Sequence, residues 1–494
     1  VLNQNQAPSD LAIADLNADK DTTSITGISK DNIMRASYTR LTSALILLGA
    51  GLSLQAHAQG FALNEQNIAS LGAAHAGRAA LANDASVIYT NPAALTQLKQ
   101  RQVTTNATFI KAYTDIDNVA GTPNSPPATN DGDMVPNVEI GSAFLALPMQ
   151  SSVEGLSVGV GFYAPYGLAT NYEDTFQGRA FGDKSKVKIM AIQPTMGYEL
   201  SPTLSIGAGI SINRAEGELT AGLAAVPTTV LGYSKLTGDD IGVGYNLGAL
   251  FKATPTLTVG LNYKSKVDYT LDGTSEVRGV PVPASAQVPF MTSVSGSSKA
   301  TLDITTPDSI ELALTYQLQS DITLLAGITH TRWDSLQTLA PQSSFTASDL
   351  TVSGIPSALP AAQQQAIATG VATAVAANIN ASKGEALNFK NANMYSIGMA
   401  YQYQPNLVLR VGVGVDETPV KTEYRNVRLP TEDRTMFSIG AGYTLSDNAT
   451  LDVGYMYFYE DAAEISRSDA SKGSYSAVFN NNAHILGAQL NYKF

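Results

Sequence analysis

Cysteine is absent from the 494-residue chain. That removes disulfides, thiol nucleophiles and thiolate metal sites together, and it suits an exported protein. Histidine is scarce, with four in all. His57, His75, His330 and His484 lie far apart, no H-x-x-x-H pair occurs, and no Ser/His/Asp constellation follows from the spacing. Neither a metal centre nor a hydrolase is expected, and no cofactor. Charge is thin as well: 15% of residues are charged, and the formal sum is -12. With no clustered Lys or Arg to meet phosphate, a nucleic-acid partner is excluded. Long apolar runs are also missing. Beyond residue 58 nothing approaches about 18 consecutive apolar residues, so no helical span is expected. A membrane protein made from this chain crosses as strands.

What is present begins with an export signal. Arg35 and Arg40 follow Met34, the mostly apolar run Leu41 to Leu54 comes next, and Ala56-His57-Ala58 closes it. That order is the basic region, apolar region and A-x-A cleavage site of a secretory signal. The run is too short for a spanning helix of about 20 residues. The expected layout is an upstream extension over 1–33, polar, aperiodic and read as an overlong start assignment; a signal peptide over 34–58; an N-terminal plug over 59–101; and a barrel over 102–494.

Period two dominates the remainder. Leu204, Ile206, Ala208, Ile210 and Ile212 alternate with Ser205, Gly207, Gly209, Ser211 and Asn213, and Ile241 to Phe251 alternates against Gly242, Gly244, Asn246 and Gly248. One strand face is greasy and the other small and polar. A soluble sandwich turns a Lys- and Glu-rich face to water. A face of Gly, Ser, Asn and Thr suits the lumen of a barrel whose apolar face meets lipid. Fourteen segments carry the pattern: 102–114, 137–148, 155–166, 185–199, 203–213, 241–252, 256–272, 299–318, 321–334, 392–404, 406–417, 434–446, 449–463 and 483–494. The count is even, as a closed bacterial barrel requires. Connections alternate between tight, such as 200–202 and 447–448, and long, such as 214–240 and 335–391. Short periplasmic turns, long outer loops and periplasmic chain ends are therefore expected.

The last segment carries Leu486, Ala488, Leu490, Tyr492 and Phe494 on one face, and this terminal aromatic pattern resembles the recognition signal of outer-membrane barrels. Tyr455, Tyr457 and Tyr459 suit an interfacial girdle. Two segments break the alternation. Residues 360–382 are Ala-rich with helical spacing and predict a short helix in the longest outer loop. Gln59 to Gln100 is too long for a tail and predicts a plug. The expected fold class is all-β: a 14-stranded antiparallel transmembrane β-barrel with an N-terminal hatch in the lumen. Its expected place is the outer membrane of a Gram-negative cell, as a monomer in contact with outer-membrane lipid, lipopolysaccharide and the barrel assembly machinery.

Within the plug, Gly60-Phe61, Leu63-Asn64-Glu65-Gln66, Gly72, Ala76-Gly77, Ala82-Asn83-Asp84-Ala85-Ser86 and Asn91-Pro92-Ala93 follow one another in a specific order. The segment resembles the N-terminal hatch of the long-chain fatty acid transport family, which includes aromatic-hydrocarbon uptake channels. Tyr166 to Thr170, Val415 to Val420 and Leu429 to Arg434 resemble later segments of that family, so the likeness spans the mature chain. It implies a fourteen-stranded barrel with a lumenal hatch, and passive uptake of a hydrophobic compound. The compound is captured at outer loops, passes to a pocket in the barrel and leaves sideways through the wall beside a kinked strand. On this likeness Phe61 and Asn64 belong to the hatch, Phe61 close to the pocket, and Asn91, Pro92 and Ala93 form the turn that holds the hatch to the wall. Gly159 to Tyr166 is the candidate kinked strand, with Gly161, Ala164 and Pro165 at the opening. Pro165 is a physical reason for broken pairing.

A carboxylate head wants cations or donors in a low-dielectric lumen. Strand parity turns Lys264, Lys266 and Arg410 inward, and Asp416 shares the parity of Arg410. The resemblance adds Lys383, placed like a lysine of the family's pocket, and an aspartate facing the hatch at Asp416. Residues 203–224 hold no secure equivalent of the family's pocket arginine, and Arg214 is the candidate by proximity. Long-chain fatty acids are the substrate this likeness implies first; neutral hydrocarbons or aromatics are the alternative, which the loss of a fixed cation would favour. A general diffusion porin has the same wall without the hatch, and a structural or adhesive barrel is a third class.

Overall fold

A strand with one greasy face and one small polar face needs lipid on one side and a lumen on the other, and a sheet closed on itself supplies both without leaving an edge. The computed structural model of the chain describes residues 60–121, 128–149, 152–226, 229–285, 287–382 and 384–494. The expected signal, the upstream extension and Lys383 lie outside the described residues. Fourteen wall strands occupy the described residues: β1 (Gln102–Gly121), β2 (Val138–Pro148), β3 (Leu156–Asn171), β4 (Lys184–Ser201), β5 (Leu204–Val226), β6 (Thr229–Lys252), β7 in two runs (Leu257–Lys264 and Val267–Val282), β8 in two runs (Thr292–Thr306 and Ser309–Gln317), β9 (Ile322–Thr331), β10 (Ala392–Gln404), β11 (Leu407–Asp416), β12 (Arg434–Ser446), β13 in two runs (Ala449–Glu460 and Ala463–Asp469) and β14 (Gly473–Lys493). β1 pairs antiparallel with β14, from Gln102 opposite Lys493 to Gly121 opposite Tyr475, and this closes the cylinder. Each expected segment holds a strand, β10 and β12 with the expected bounds, whereas Trp333 and Asp334, expected in the ninth, form a 3-10 turn.

The outward face is apolar as the alternation requires. Ile206, Ile210 and Ile212 of β5 and Ile241, Val243, Tyr245 and Leu247 of β6 are 43% to 64% exposed, which is stable only against lipid tails. Tyr455 and Tyr459 share that face, and the Tyr457 ring lies 5.1 Å from that of His484. No described helix is long and apolar enough to cross a membrane.

Residues 214–240, expected as a loop, instead extend β5 and β6 to 23 and 24 residues, where about 9–11 suffice to cross the hydrocarbon. The lipid signature stops near Ile212 and Ile241 because the outward positions beyond them carry charge. Lys235 pairs with Glu218 at 3.3 Å and Arg214 with Asp239 at 3.4 Å. Arg214 shares the face of Ile210 and Ile212 and is exposed. It points away from the lumen, so its expected place in a pocket is not met.

Parity also breaks within β7 and β8. Asn262 and Lys264 face inward in the first run of β7, but Ser265 and Lys266 fall between the runs, and the phase shifts by one residue. Lys266, expected inward, is exposed and pairs with Asp268 at 3.3 Å. Val267, Tyr269 and Leu271, which an unbroken alternation from Lys264 and Lys266 would turn to lipid, are buried in the lumen. β8 breaks at the same level, at Pro307 and Asp308: Leu302, Ile304 and Thr306 are buried on one side, Glu311 and Ala313 on the other. Pro307 has no N–H to give to a ladder. A one-residue slip moves every later side chain to the other face, and here it turns a greasy surface inward.

Residues 60–98 lie inside the wall and are largely buried. They form α1 (Ile68–Leu71), α2 (Val87–Thr90) and a 3-10 turn (Pro92–Gln97). The Gly-rich inward faces seat this segment by backbone contact. A Cβ on Gly260 would lie 2.0 Å from the Ala79 carbonyl oxygen, and one on Gly412 would lie 2.2 Å from the Ala73 carbonyl carbon. On the long-loop side, α3 (Ala361–Asn380) forms where the Ala-rich spacing predicts a helix and buries Val371, Ala372, Val375 and Ala376 against Val277, Val294, Phe345 and Leu350.

Candidate functional site

β2 and β3 pair only from Ala143 opposite Phe162 to Pro148 opposite Ser157. Past Phe162 the register of β3 with β4 slips between Tyr163 and Tyr166. Pro165, within that irregularity, cannot donate to a neighbour. The lumenal segment takes up the edge that β2 leaves. Leu63 N–H donates to the Pro165 carbonyl at 2.9 Å, Gly167 N–H donates to the Phe61 carbonyl at 2.9 Å, and Gln66 Nε2 donates to the Ala164 carbonyl at 2.7 Å. Gly161, opposite Phe144 in the last paired stretch before the gap, is where a Cβ would stand 2.8 Å from Phe144 Cδ1 and 3.0 Å from Ile88 Cγ2. Gly161, Ala164 and Pro165 thus meet the N-terminal segment at a gap in the wall ladder.

The same contacts fix Phe61. Its ring stands edge-on to Trp333 at 5.0 Å and to Tyr166 at 5.6 Å, and Trp333 is edge-on to Phe389 at 6.0 Å. On the long-loop side of these rings is a pocket of about 750 Å³. Val187, Leu219, Leu236, Leu271, Leu302 and Ile304 line it from the wall, and Leu387, Phe389 and Leu429 from the loops. Its lining is almost wholly apolar because the slip in β7 turns Leu271 inward beside Leu302 and Ile304, which lie before the break in β8. Burying hydrocarbon there is favourable by about 25 cal/mol per Å². Arg428 and Asn426 stand at its outer rim. Arg428 Nη1 donates to the Lys184 carbonyl at 3.2 Å and to Ser185 Oγ at 3.0 Å, and Nη2 donates to the Thr220 carbonyl at 2.8 Å. Burial lowers its pKa from the ordinary arginine value, and the Glu385 carboxylate, 3.8 Å away, opposes that shift. Further out, an apolar groove of about 1550 Å³ runs between α3 and the β7–β8 connection, lined by Val280, Val282, Ile367, Val371 and Ile379.

On the short-turn side of the rings is a polar chamber of about 760 Å³. Arg78 Nε donates to both Glu311 carboxylate oxygens, at 3.0 and 2.9 Å, and Arg78 Nη1 donates to Asn64 Oδ1 at 2.8 Å. Lys264 Nζ lies 3.3 Å from the centre of the Tyr89 ring. Asn91 Nδ2 donates to the carbonyls of Ala79 at 2.6 Å and of Ala249, in β6, at 3.0 Å. Its Oδ1 accepts from Ala93 N–H at 3.0 Å, with Pro92 opening the turn between them. Phe61, Asn64 and Lys264 therefore come together around the two cavities, whereas the Asn91 turn lines neither and ties the lumenal segment to β6.

Arg410 and Asp416 do not line either cavity. Arg410 faces inward but donates to Asp452 at 2.7 Å. Asp416 is buried 4.0 Å from Arg434, which in turn bonds Glu460 at 3.0 Å. Both residues belong to buried charge networks of the wall. Trp333, Arg78, Glu311 and Arg428 were not legible as site residues. Arg428 directly precedes a segment singled out by resemblance, and Trp333 is the only tryptophan of the chain; neither fact locates a pocket.

Residues 49–494 match the family described as Outer membrane protein transport protein (OMPP1/FadL/TodX). The long-chain fatty acid transport protein of Salmonella typhi is 25% identical over 92% of this chain and 98% of its own length. Outer membrane protein P1 of Haemophilus influenzae is 24% identical over the same shares. The crystal structure of a Pseudomonas aeruginosa FadL homologue superposes with a TM-score of 0.70 at 20% identity, covering 88% of this chain and 100% of that one. That of the P. putida toluene transporter TodX superposes at 0.58 with 13% identity, covering 83% and 94%. These two structures share the fold.

Proposed function

Because the chain belongs to the Outer membrane protein transport protein (OMPP1/FadL/TodX) family, we propose that it is an outer-membrane channel for passive uptake of hydrophobic compounds, long-chain fatty acids foremost. The observation that carries this reading is the apolar pocket behind Phe61, beside a wall gap that the N-terminal segment fills. The groove under α3 offers a first apolar surface to a compound arriving from outside. From there the tail enters the pocket. Residues 60–66 then act as the hatch: withdrawal of their bonds to Ala164, Pro165 and Gly167 exposes the unpaired edge of β3, and the compound leaves sideways into lipid. Each transfer is between apolar surroundings, so a concentration gradient suffices to drive it.

Assembly by the barrel machinery, lipopolysaccharide at the outward charges and a monomeric state belong to the same reading. A neutral hydrocarbon or aromatic substrate is the second reading, supported by an apolar lining that distinguishes tails weakly. A lumen filled by residues 60–98 argues against a general porin.

Trp333 lies against Phe61 at the pocket, so its fluorescence reports entry there. In a planar bilayer the mature barrel is expected to conduct little, and in detergent oleate is expected to shift the Trp333 emission with saturation. Large stable ion currents together with no oleate response would overturn the proposal. Competition between oleate and a neutral alkane decides between the two substrate classes.

A further inference from the structure

We propose that the polar chamber is a second binding site, which takes the carboxylate of an amphipathic ligand on Lys264. The inference rests on the reading of the chain as a channel for hydrophobic compounds, and it says where the charged end goes once past the aromatic rings.

Charge supports it first. Arg78 and Glu311, with side chains 4% and 6% exposed, neutralise each other through two hydrogen bonds. Lys264 has no carboxylate within ion-pairing distance among the described residues, and its ammonium rests on the Tyr89 ring at 3.3 Å. The chamber thus holds one cation that only a π face partners. A cation held away from bulk water gains most from an anion.

Unpaired polar atoms point the same way. Asn246, directly opposite Lys264 across the β6–β7 ladder, has neither its Nδ2 nor its Oδ1 bonded. Asn262 Oδ1 and Thr331 Oγ1 are also without partners. All three side chains line the chamber, and these residues are 2% to 4% exposed. A carboxylate can take the Lys264 ammonium together with Nδ2 of Asn246 on the neighbouring strand, leaving fewer buried donors unmet.

Position gives the third reason. Lys264 ends the first run of β7, Val267 and Tyr269 follow in the same chamber, and Leu271 lies in the apolar pocket. From Lys264 to Leu271 the strand spans on the order of 20 Å at about 3.3 Å per residue, the scale of a long acyl chain. Head on Lys264 and tail against Leu271 matches the polarity along the strand. Ala62, Pro165 and Tyr166 line the chamber too, so the seated head lies beside the β2–β3 gap. A neutral hydrocarbon offers nothing to Lys264, and the chamber discriminates against it.

The test titrates oleate and the neutral oleyl alcohol on the full-length barrel, read by Trp333 fluorescence, in wild type, Lys264→Gln and Lys264→Arg. Lys264→Gln is expected to weaken oleate about tenfold or more, the scale of a hydrogen bond to a charged group, while oleyl alcohol changes less than about twofold. Lys264→Arg is expected to keep oleate within about threefold. Unchanged oleate affinity in Lys264→Gln, or an equal loss for both ligands, overturns the assignment. A wild-type barrel that responds to neither ligand overturns the channel reading instead.

Discussion

Two lumenal cations differ in what their donors already do. Arg428 spends three hydrogen bonds on the Lys184 carbonyl, Ser185 Oγ and the Thr220 carbonyl, so it braces the outer rim of the pocket, whereas Lys264 has only the Tyr89 ring. Removing Arg428 leaves partly buried acceptors unpaired, at about 1–3 kcal/mol each, and loosens the rim for any ligand. Arg428→Ala is therefore expected to weaken oleate and oleyl alcohol alike, by roughly fivefold as a share of that cost, in the Trp333 titration. A loss confined to oleate assigns the head group to Arg428 and ends the bracing role. Residue type alone did not separate these roles, because Arg214, Lys266, Arg410 and Arg428 look alike until their partners are known.

At the scale of elements, the decisive feature is a strand that loses its neighbour. β3 leaves β2 at Phe162 and is met by residues 61–66, and Ala62 faces Tyr166 as an antiparallel bridge. The flanking bonds, Leu63 to Pro165 and Gly167 to Phe61, make it a non-hydrogen-bonded pair, with Cα atoms about 4.5 Å apart, inside the range a disulfide accepts. The chain has no cysteine of its own, so an A62C/Y166C pair is free of competing thiols. Oxidised, this double variant is expected to stop uptake of labelled oleate, and dithiothreitol is expected to restore it. Uptake that ignores the redox state means the segment stays zipped to β3 during transport. Pro165 was legible as a place of broken pairing; that residues 61–66 occupy the gap was not, since it joins positions about a hundred apart.

For the whole molecule, wall and filling are separable. The fourteen strands close through β1 and β14 alone, while residues 60–98 sit on wall glycines such as Gly260 and Gly412 without adding to the ring. Deleting residues 60–98 is expected to leave a barrel that assembles and conducts ions in a planar bilayer, with conductance up by about tenfold or more, in the manner of an open water-filled barrel. A deletion variant as silent as wild type shows that the outer loops close the lumen unaided.

The sequence by itself determined the wall. A period-two pattern has one geometric solution, so the lipid faces of β5 and β6, the strand count, the tight turns and the α3 helix could all be read locally, and the order of motifs in residues 60–95 pointed to a lumenal segment. Tertiary structure decided the site. The slips at Ser265-Lys266 and Pro307-Asp308 each invert the parity of everything after them, and nothing in the alternation announces a slip when both faces carry apolar residues. Hence an unbroken alternation from Lys264 turns Val267, Tyr269 and Leu271 to lipid, although they face the lumen and Leu271 lines the pocket. The same alternation turns Lys266 to the lumen, yet it faces outward; Arg214, a candidate by proximity alone, shares the outward face of Ile210 and Ile212 without any slip. Position in a strand is additive along the chain, so it survives only until the first irregularity; which side chains share a cavity is settled by the closed sheet.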